Sequence, residues 1–181
     1  VFSPGCADYV NPLVLASRTS DEIKARIDGT VPKRRTCLDL SREVNDCCER
    51  YDFRYTGVQH ILKHLHNGDY VAMLDLRSYF LTLPLSRKFR KYCSLRCPLT
   101  GKLLQYNRAP LGLSTAPAWA NAVSSEIRRF LISRGVSLSF FYTDDFVIIA
   151  KSKEECQRQL DIALKALRDI GVEVAPDKIV R

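Results

Sequence analysis

SLSFFYTDDFVIIA, residues 137–150, is the most informative segment of the chain. Two runs rich in aromatic and β-branched residues are separated only by Thr143, Asp144 and Asp145. This composition is typical of two buried strands joined by a tight turn. We therefore predict a β-hairpin that carries two carboxylates at its tip.

Adjacent aspartates between apolar strands are destabilising, because like charges in a partly buried site repel each other and resist ionisation. A bound cation offsets that repulsion. Carboxylate oxygens are hard ligands that favour Mg²⁺, and phosphate oxygens of a substrate often complete the coordination shell of that ion. Asp75 ends another apolar strand, over 70–76, and the sheet can place it beside the hairpin tip. Two Mg²⁺ ions about 4 Å apart would then stabilise both the attacking and the leaving oxygen of a phosphoryl transfer. The alternative interpretation is a plain β-turn, in which aspartate is common.

The other elements predict an α+β fold with an antiparallel sheet, because strands and helices do not alternate as they do around a parallel sheet. The predicted strands cover 10–16, 33–40, 70–76 and 172–174, a hairpin covers 92–108, and the predicted helices cover 20–27, 57–66, 114–133 and 152–170. Side-chain caps are expected at Thr56, Ser114 and Ser152, while Gly135 and Gly171 suit the ends of the two long helices.

The net charge of +8 is concentrated in the middle of the chain. Residues 55–110 carry nine Lys or Arg but only two Asp or Glu, whereas the segments on either side are nearly neutral. Phe89, Tyr92 and Tyr106 are interleaved with these cations, which is the composition of a surface that binds a phosphate backbone. Charge alone leaves a second interpretation open, because an ordinary solvated basic face has the same composition.

Cysteine and histidine usage bears on the compartment and on metal binding. Seven cysteines, an odd number, without a signal peptide favour free thiols in a reducing compartment. No run reaches the roughly 18 apolar residues of a membrane span, so we expect an intracellular protein of the cytoplasm or nucleus with no membrane partner.

Three histidines, His60, His64 and His66, lie on a predicted helix. Residues four positions apart share a helical face and could bind one metal ion, but an exposed helical face is the simpler interpretation.

Four segments resemble motifs of reverse transcriptases, in the same order and with matching separations. CLDLSREVND at 37–46 is similar to the fingers motif of that family, and MLDLRSYFLTLPL at 73–85, RAPLGLSTAP at 108–117 and FYTDDFVIIA at 141–150 are similar to its three catalytic motifs. The resemblance covers nearly the whole chain. It implies a polymerase palm, whose antiparallel sheet is flanked by helices, and a small fingers subdomain. The expected boundaries are mainly fingers at 1–66, palm at 67–86, a fingers–palm hairpin region at 87–110 and palm at 111–181, with the thumb and nuclease domains absent.

The resemblance also implies roles for individual residues in catalysis. Asp75 and Asp144 would bridge two Mg²⁺ ions, with Mn²⁺ as an alternative metal, and Asp145 would be a further metal ligand on the primer side. Phe80 matches the aromatic residue that leaves no room for a 2′-hydroxyl and so selects deoxynucleotides; without the motif it would read as a core phenylalanine. Lys178 resembles a lysine that protonates the pyrophosphate leaving group.

Five further residues are expected to bind the substrate. Arg18 and Arg35 match basic residues that hold the incoming triphosphate, for which the fork of the guanidinium group is suited; either would otherwise be an ordinary surface charge. Leu111, Gly112 and Tyr142 fall at motif positions near the nucleotide. Leu111 occupies a position where the family often has glutamine or phenylalanine, so this chain has no polar contact there. Gly112 fits a position where the backbone approaches the substrate closely.

The sequence therefore predicts an RNA-directed DNA polymerase core, from a retrotransposon, that transfers deoxynucleotides from their triphosphates onto a primer 3′ end. Its expected partners are an RNA template and a DNA or RNA primer, and a missing thumb domain or a partner chain for processive synthesis. A domesticated scaffold that binds RNA or protein without polymerising is the alternative, and an RNA-synthesising polymerase is a third. Intact clustered carboxylates count against the scaffold, and Phe80 counts against ribonucleotide use.

Overall fold

The structure is a computed structural model that describes residues 2–4, 9–32, 34–142, 144–176 and 179. It divides into two compact units. The first unit contains Val1–Arg50 and Phe80–Ala116, and the second contains Tyr51–Tyr79 and Pro117–Arg181. The chain therefore passes between the units three times, and the assignment of fingers and palm boundaries to it stays a prediction.

Helices and antiparallel strands make up both units, as the sequence predicts. In chain order the elements are β1 (Phe2–Pro4), β2 (Leu13–Ser17), α1 (Thr19–Asp28), β3 (Arg34–Leu38), α2 (Val58–Leu62), β4 (Tyr70–Asp75), β5 (Ser94–Arg96), β6 (Leu103–Tyr106), α3 (Ala116–Ser133), β7 (Leu138–Tyr142), β8 (Asp145–Ala150) and α4 (Lys153–Asp169). Short 3₁₀ helices lie at Tyr79–Thr82 and Arg90–Tyr92. The predicted α+β fold class is confirmed.

Two small antiparallel sheets form the first unit. β2 pairs with β3, and a second sheet has the order β1-β6-β5. Gly29 ends α1 with a left-handed φ of 66°, and its N–H donates to the carbonyl of Ala25, as is common at helix ends. Gly101 has a φ of 67° in the turn between β5 and β6, so the predicted hairpin is confirmed.

A three-stranded antiparallel sheet of order β4-β8-β7 forms the second unit, and α4 packs against β4 and β8. β8 is central, and all of its residues after Asp145 are buried. A strand that is covered on both faces has a continuous apolar run instead of an alternating one. This explains why the sequence FVIIA is uninterrupted, and it confirms the predicted hairpin of β7 and β8.

The predicted cap of α4 is confirmed, because the Oγ of Ser152 accepts a 3.2 Å hydrogen bond from the N–H of Glu155. The helix predicted over 57–66 is too long, since α2 covers only five residues and begins after Gly57 without a side-chain cap. The prediction of Thr56 as its cap is therefore wrong. Beyond α2 the N–H of His66 donates to the carboxylate of Asp69 at 2.9 Å, and such a side-chain acceptor competes with helical bonding.

Two other predicted elements are shorter in the structure. α3 begins at Ala116, two residues after the predicted cap Ser114, and the N–H of Ser114 donates to the side chain of Asn45 at 3.0 Å. The strand predicted over 172–174 is reduced to a single antiparallel bridge between Leu76 and Val174.

Two further predictions concern disulfide bonds and membrane-spanning helices. All six described cysteines are free, as predicted. None of the described helices combines the length and the apolar character needed to cross a bilayer.

Candidate active site

The sheet of the second unit places Asp75 and Asp145 side by side. Asp75 is the last residue of β4, Asp145 is the first residue of β8, and the two are partners in the antiparallel register. Such partners have Cα atoms roughly 4.5–5.5 Å apart. Asp144 precedes Asp145 in the turn, next to Thr143, which lies outside the described residues. The structure therefore places the three aspartates that the sequence singles out at the same end of this sheet.

Backbone hydrogen bonds fix this end of the sheet from both sides. The N–H of Leu76 donates to the carbonyl of Asp144 at 3.0 Å, and the N–H of Ala175 donates to the carbonyl of Asp75 at 2.9 Å. The segment from Asp75 onward is thus held between the hairpin turn and the backbone at Ala175. Lys178 follows that anchored segment but lies outside the described residues, so its expected role stays a prediction.

Three half-buried aspartates lie at this end of the sheet of the second unit. Like charges on directly opposite residues of two strands destabilise the pair, and half-burial of the three aspartates limits screening by water. Burial raises the pKa of the Tyr55 hydroxyl, and the charge of Asp144 raises it further. Tyr55 is thus a neighbour of the site that sequence reasoning missed, and no motif of the sequence points to it.

The donor set fits a metal that completes its shell with substrate. Among the described residues no three or more His, Cys, Asp or Glu side chains form a preformed metal site. Mg²⁺ does not require one, because it commonly binds through one or two carboxylates and takes its other ligands from water and phosphates. Asp75, Asp144 and Asp145 offer hard oxygen donors of this kind.

The three histidines form no metal cluster within the described residues. The rings of His60 and His64 lie 4.9 Å apart, and both pack against Phe140. His66 instead lies 3.5 Å from the carboxylate of Asp69. These contacts favour a packing role for the first two rings.

Arg18 and Arg35 lie at the same end of the β2–β3 ribbon in the first unit. Ala16 pairs with Arg35, so Arg18 follows the end of β2 directly beside that position. Both side chains are exposed, and neither forms an ion pair with another described residue. Two exposed arginines at one end of the ribbon, neither paired with a described carboxylate, are suited to binding phosphate oxygens.

The loop with Leu111 and Gly112 is fastened to β3. The N–H of Leu38 donates to the carbonyl of Leu111 at 2.8 Å, and the side chain of Asn45 donates to the carbonyl of Gly112 at 2.9 Å. The same Asn45 side chain accepts from the N–H of Ser114 at 3.0 Å. Sequence reasoning did not assign Asn45 this role, although it lies within the quoted segment 37–46. These bonds tie the loop to the strand that carries Arg35.

Phe80 follows an anchored tyrosine. The hydroxyl of Tyr79 is buried, donates to the carbonyl of Ala120 at 3.1 Å and lies 2.9 Å from the hydroxyl of Ser124. Phe80 itself is half-buried in the 3₁₀ turn, and Ser78 just before it has a left-handed φ of 49°. Non-glycine residues rarely adopt that conformation, and it is common near functional sites. Tyr142, the last residue of β7, is exposed and pairs with Asp145.

Comparisons with known proteins agree on one family. The family described as "Reverse transcriptase (RNA-dependent DNA polymerase)" matches residues 19–181. The "Retrovirus-related Pol polyprotein from transposon 412" of Drosophila melanogaster is 24% identical over 178 residues, which is 98% of this chain and 14% of that protein.

Solved structures share the fold. The foamy viral protease-reverse transcriptase in complex with double-stranded DNA has a TM-score of 0.80 at 20% identity, over 99% of this chain and 28% of that one. The same viral protein in complex with an RNA/DNA hybrid has a TM-score of 0.77 at 19% identity, over 99% of this chain and 22% of that one. The chain thus spans about a quarter of each of these structures and a seventh of the transposon relative.

Proposed function

Because the chain belongs to the reverse transcriptase family, we propose that it is the fingers-and-palm core of an RNA-directed DNA polymerase of a retrotransposon. The first unit would be mainly fingers and the second mainly palm. The observation that carries the proposal is the register of β4 and β8, which pairs Asp75 with Asp145 and leaves Asp144 beside them. A cluster of repelling carboxylates at strand ends has a clear use in a polymerase and none in a passive scaffold.

Asp75 and Asp144 would hold two Mg²⁺ ions, or Mn²⁺, with Asp145 as a further ligand on the primer side. When bound, such ions stabilise the attacking and leaving oxygens of an in-line phosphoryl transfer. Arg18 and Arg35 would hold the triphosphate through charge-assisted hydrogen bonds, and Lys178 would donate a proton to the pyrophosphate. The 3′-hydroxyl of the primer attacks the α-phosphate, and pyrophosphate leaves.

Phe80 would select deoxynucleotides. Its backbone follows Tyr79, whose hydrogen bonds to α3 fix the start of the 3₁₀ turn. The half-buried ring of Phe80 would leave no room for a 2′-hydroxyl. Leu111, Gly112 and Tyr142 would line the nucleotide and primer positions, with the loop of the first two held by Asn45.

The expected macromolecular partners are an RNA template and a DNA or RNA primer. Two observations support them: the foamy viral protein was solved with double-stranded DNA and with an RNA/DNA hybrid, and the charge excess of this chain lies in residues 55–110. Counterion release from phosphates makes such a surface attractive to nucleic acid.

A primer-extension assay tests the proposal in the parent protein that carries this chain. With an RNA template, a DNA primer, deoxynucleotides and Mg²⁺, the protein should extend the primer, and Asp144→Asn should reduce the rate at least about 10³-fold. Asp169→Asn, the same chemical change on the exposed end of α4, is the matched control and should leave the rate unchanged. Absent extension, or equal rates for the two variants, would support the non-catalytic scaffold instead.

The selection of deoxynucleotides over ribonucleotides can be tested separately. Phe80→Ala should increase incorporation of ribonucleotides relative to deoxynucleotides, because a smaller side chain leaves space for the 2′-hydroxyl. An unchanged ratio would favour an RNA-synthesising polymerase or a different residue as the gate.

A further inference from the structure

We propose that the first unit carries a separate site for single-stranded nucleic acid, in which a base enters an aromatic cavity while its phosphates lie in an adjacent basic groove. The site is built on residues 86–92, which include the 3₁₀ helix Arg90–Tyr92. Phe89 and Tyr92 line both the cavity and the groove, so they form the wall between the two.

The cavity has a lining that suits a planar ring. Its volume is about 270 Å³, near the lower end of small-ligand pockets, which is roughly 300 Å³. Three aromatic side chains line it, with the Tyr9 and Tyr92 ring centres 5.3 Å apart and the Phe89 and Tyr92 centres 5.8 Å apart. Aromatic side chains accept bases of any sequence, because every base has a π-face.

Tyr92 is held in place before any ligand binds. The side-chain amide of Asn11 donates to the carbonyl of Tyr92 at 2.8 Å and to the carbonyl of Ser94 at 3.0 Å. Lys91 places its Nζ 5.0 Å from the centre of the Tyr92 ring. A fixed aromatic platform loses little conformational entropy when a base stacks on it.

The groove beside the cavity is basic. Its volume is about 440 Å³, and Ser86, Arg87, Lys88 and Lys91 line it together with the two shared aromatic residues. Arg87 and Lys88 are exposed and form no ion pair with another described residue. These side chains are therefore available to phosphates.

No nearby sequence neutralises that charge, since no Asp or Glu occurs between Asp75 and Glu126. Arginines of the same stretch donate to carbonyls and keep their full charge. Arg90 donates to Leu85 at 3.1 Å, and Arg96 donates to Gly101 at 2.9 Å.

Charge also sets the direction in which a nucleotide would lie. Among the described residues Glu43 is the one carboxylate that lines the cavity, and the described lining of the groove has none. Phosphate is repelled by the carboxylate and attracted to the groove, so the base occupies the cavity. A duplex keeps its bases stacked inside and cannot present one in this way without unpairing it. The partner that fits is therefore a single strand.

This site does not depend on the polymerase proposal, because it uses none of the carboxylates of the second unit. Binding is therefore measured without divalent metal, by fluorescence anisotropy of a labelled single-stranded oligonucleotide on the whole chain. Tyr92→Leu should weaken binding about 5- to 150-fold, which is the range for losing one base stack. Arg87→Gln with Lys88→Gln should lower the slope of log affinity against log salt by about 1.4, or about 0.7 for each phosphate contact.

Matched controls separate the site from general effects. Tyr70→Leu removes an exposed tyrosine from β4, and Lys165→Gln with Arg168→Gln removes two exposed charges from α4; both should bind like the parent chain. Far-UV circular dichroism checks that each variant is folded. An abasic oligonucleotide should bind the parent chain and Tyr92→Leu equally.

Three outcomes would overturn the proposal: a folded Tyr92→Leu that binds the single strand like Tyr70→Leu, a Tyr92→Leu that weakens binding of a duplex as much as binding of the single strand, or a salt slope that the α4 control lowers equally. The polymerase proposal fails separately, since an inactive protein that still shows these binding differences would sink only that proposal.

Discussion

Gly112→Ala should be among the most destabilising single changes in the first unit, because the backbone at this position approaches a neighbouring strand too closely for a side chain. A Cβ atom at Gly112 would lie 2.0 Å from the carbonyl oxygen of Leu38, which is backbone and cannot rotate away. The φ of Gly112 is 112°, in the region that side chains rarely adopt.

Two contributions make up the expected loss of stability. Backbone strain at such a φ costs roughly 1–3 kcal/mol. To relieve the contact, the loop must move away from β3, and it then loses the hydrogen bonds of Leu111 to Leu38 and of Gly112 to Asn45, each contributing about 1 kcal/mol. The sum is about 4 kcal/mol, a large part of the roughly 5–15 kcal/mol that stabilises a typical domain.

Urea denaturation measures this loss. With a slope of about 2 kcal/mol per M, the midpoint should fall by about 2 M. Trp119, the only tryptophan of the chain, lies in the first turn of α3 and offers a fluorescence signal, while circular dichroism follows the whole chain.

Two other glycines make a graded control. Gly57 has a φ of −70° and open space around it, so Gly57→Ala should change stability by no more than about 1 kcal/mol. Gly68 has a φ of 87° but also open space, so Gly68→Ala should lose only the strain contribution, about 1–3 kcal/mol. If Gly112→Ala costs no more than Gly68→Ala, the close approach to Leu38 has no energetic consequence and the reasoning is wrong.

Three further changes have defined outcomes. Tyr79→Phe removes a buried hydroxyl with two partners and should lower the free energy of unfolding by about 1–2 kcal/mol in urea titrations. Burial raises the pKa of the Cys93 thiol to about 12, so mass spectrometry at pH 8 should find iodoacetamide on exposed Cys47 but on Cys93 only after unfolding. The hydrogen bond from Arg158 lowers the pKa of Glu155 to about 2. Glu155→Gln should therefore have a lower free energy of unfolding than the parent at pH 7. This difference should vanish as the pH falls from about 4.5 through 2, when Glu155 of the parent becomes protonated.

Elements stabilised by their own sequence pattern could be predicted from the sequence. β8 is buried on both faces, so its apolar run identifies it without knowledge of its neighbours. α4 has a serine cap and a glycine end that are both local features. The carboxylates follow from the same logic, because the ends of two apolar strands of one antiparallel sheet can meet.

Elements that depend on distant residues could not be predicted. α2 ends early where Asp69 accepts from His66, and Asp69 is itself bonded at 2.8 Å by Lys151, 82 positions away. A second long-range bond lies just before α3, where the N–H of Ser114 donates to Asn45, 69 positions away. No periodicity or cap in the local sequence records such bonds, so the boundaries were misplaced where a long-range contact competes with helix formation.

The fastening of the loop to β3 does not depend on the side chain at position 111, so a leucine there leaves the loop in place. The bond that positions Leu111 uses its carbonyl and the N–H of Leu38, so it does not depend on the side chain. Gly112, by contrast, is fixed by both its φ and its contact with Leu38. Substitutions at 111 should therefore change the proposed nucleotide contact without loosening the loop, whereas substitutions at 112 should loosen the loop and displace the strand of Arg35 together with it.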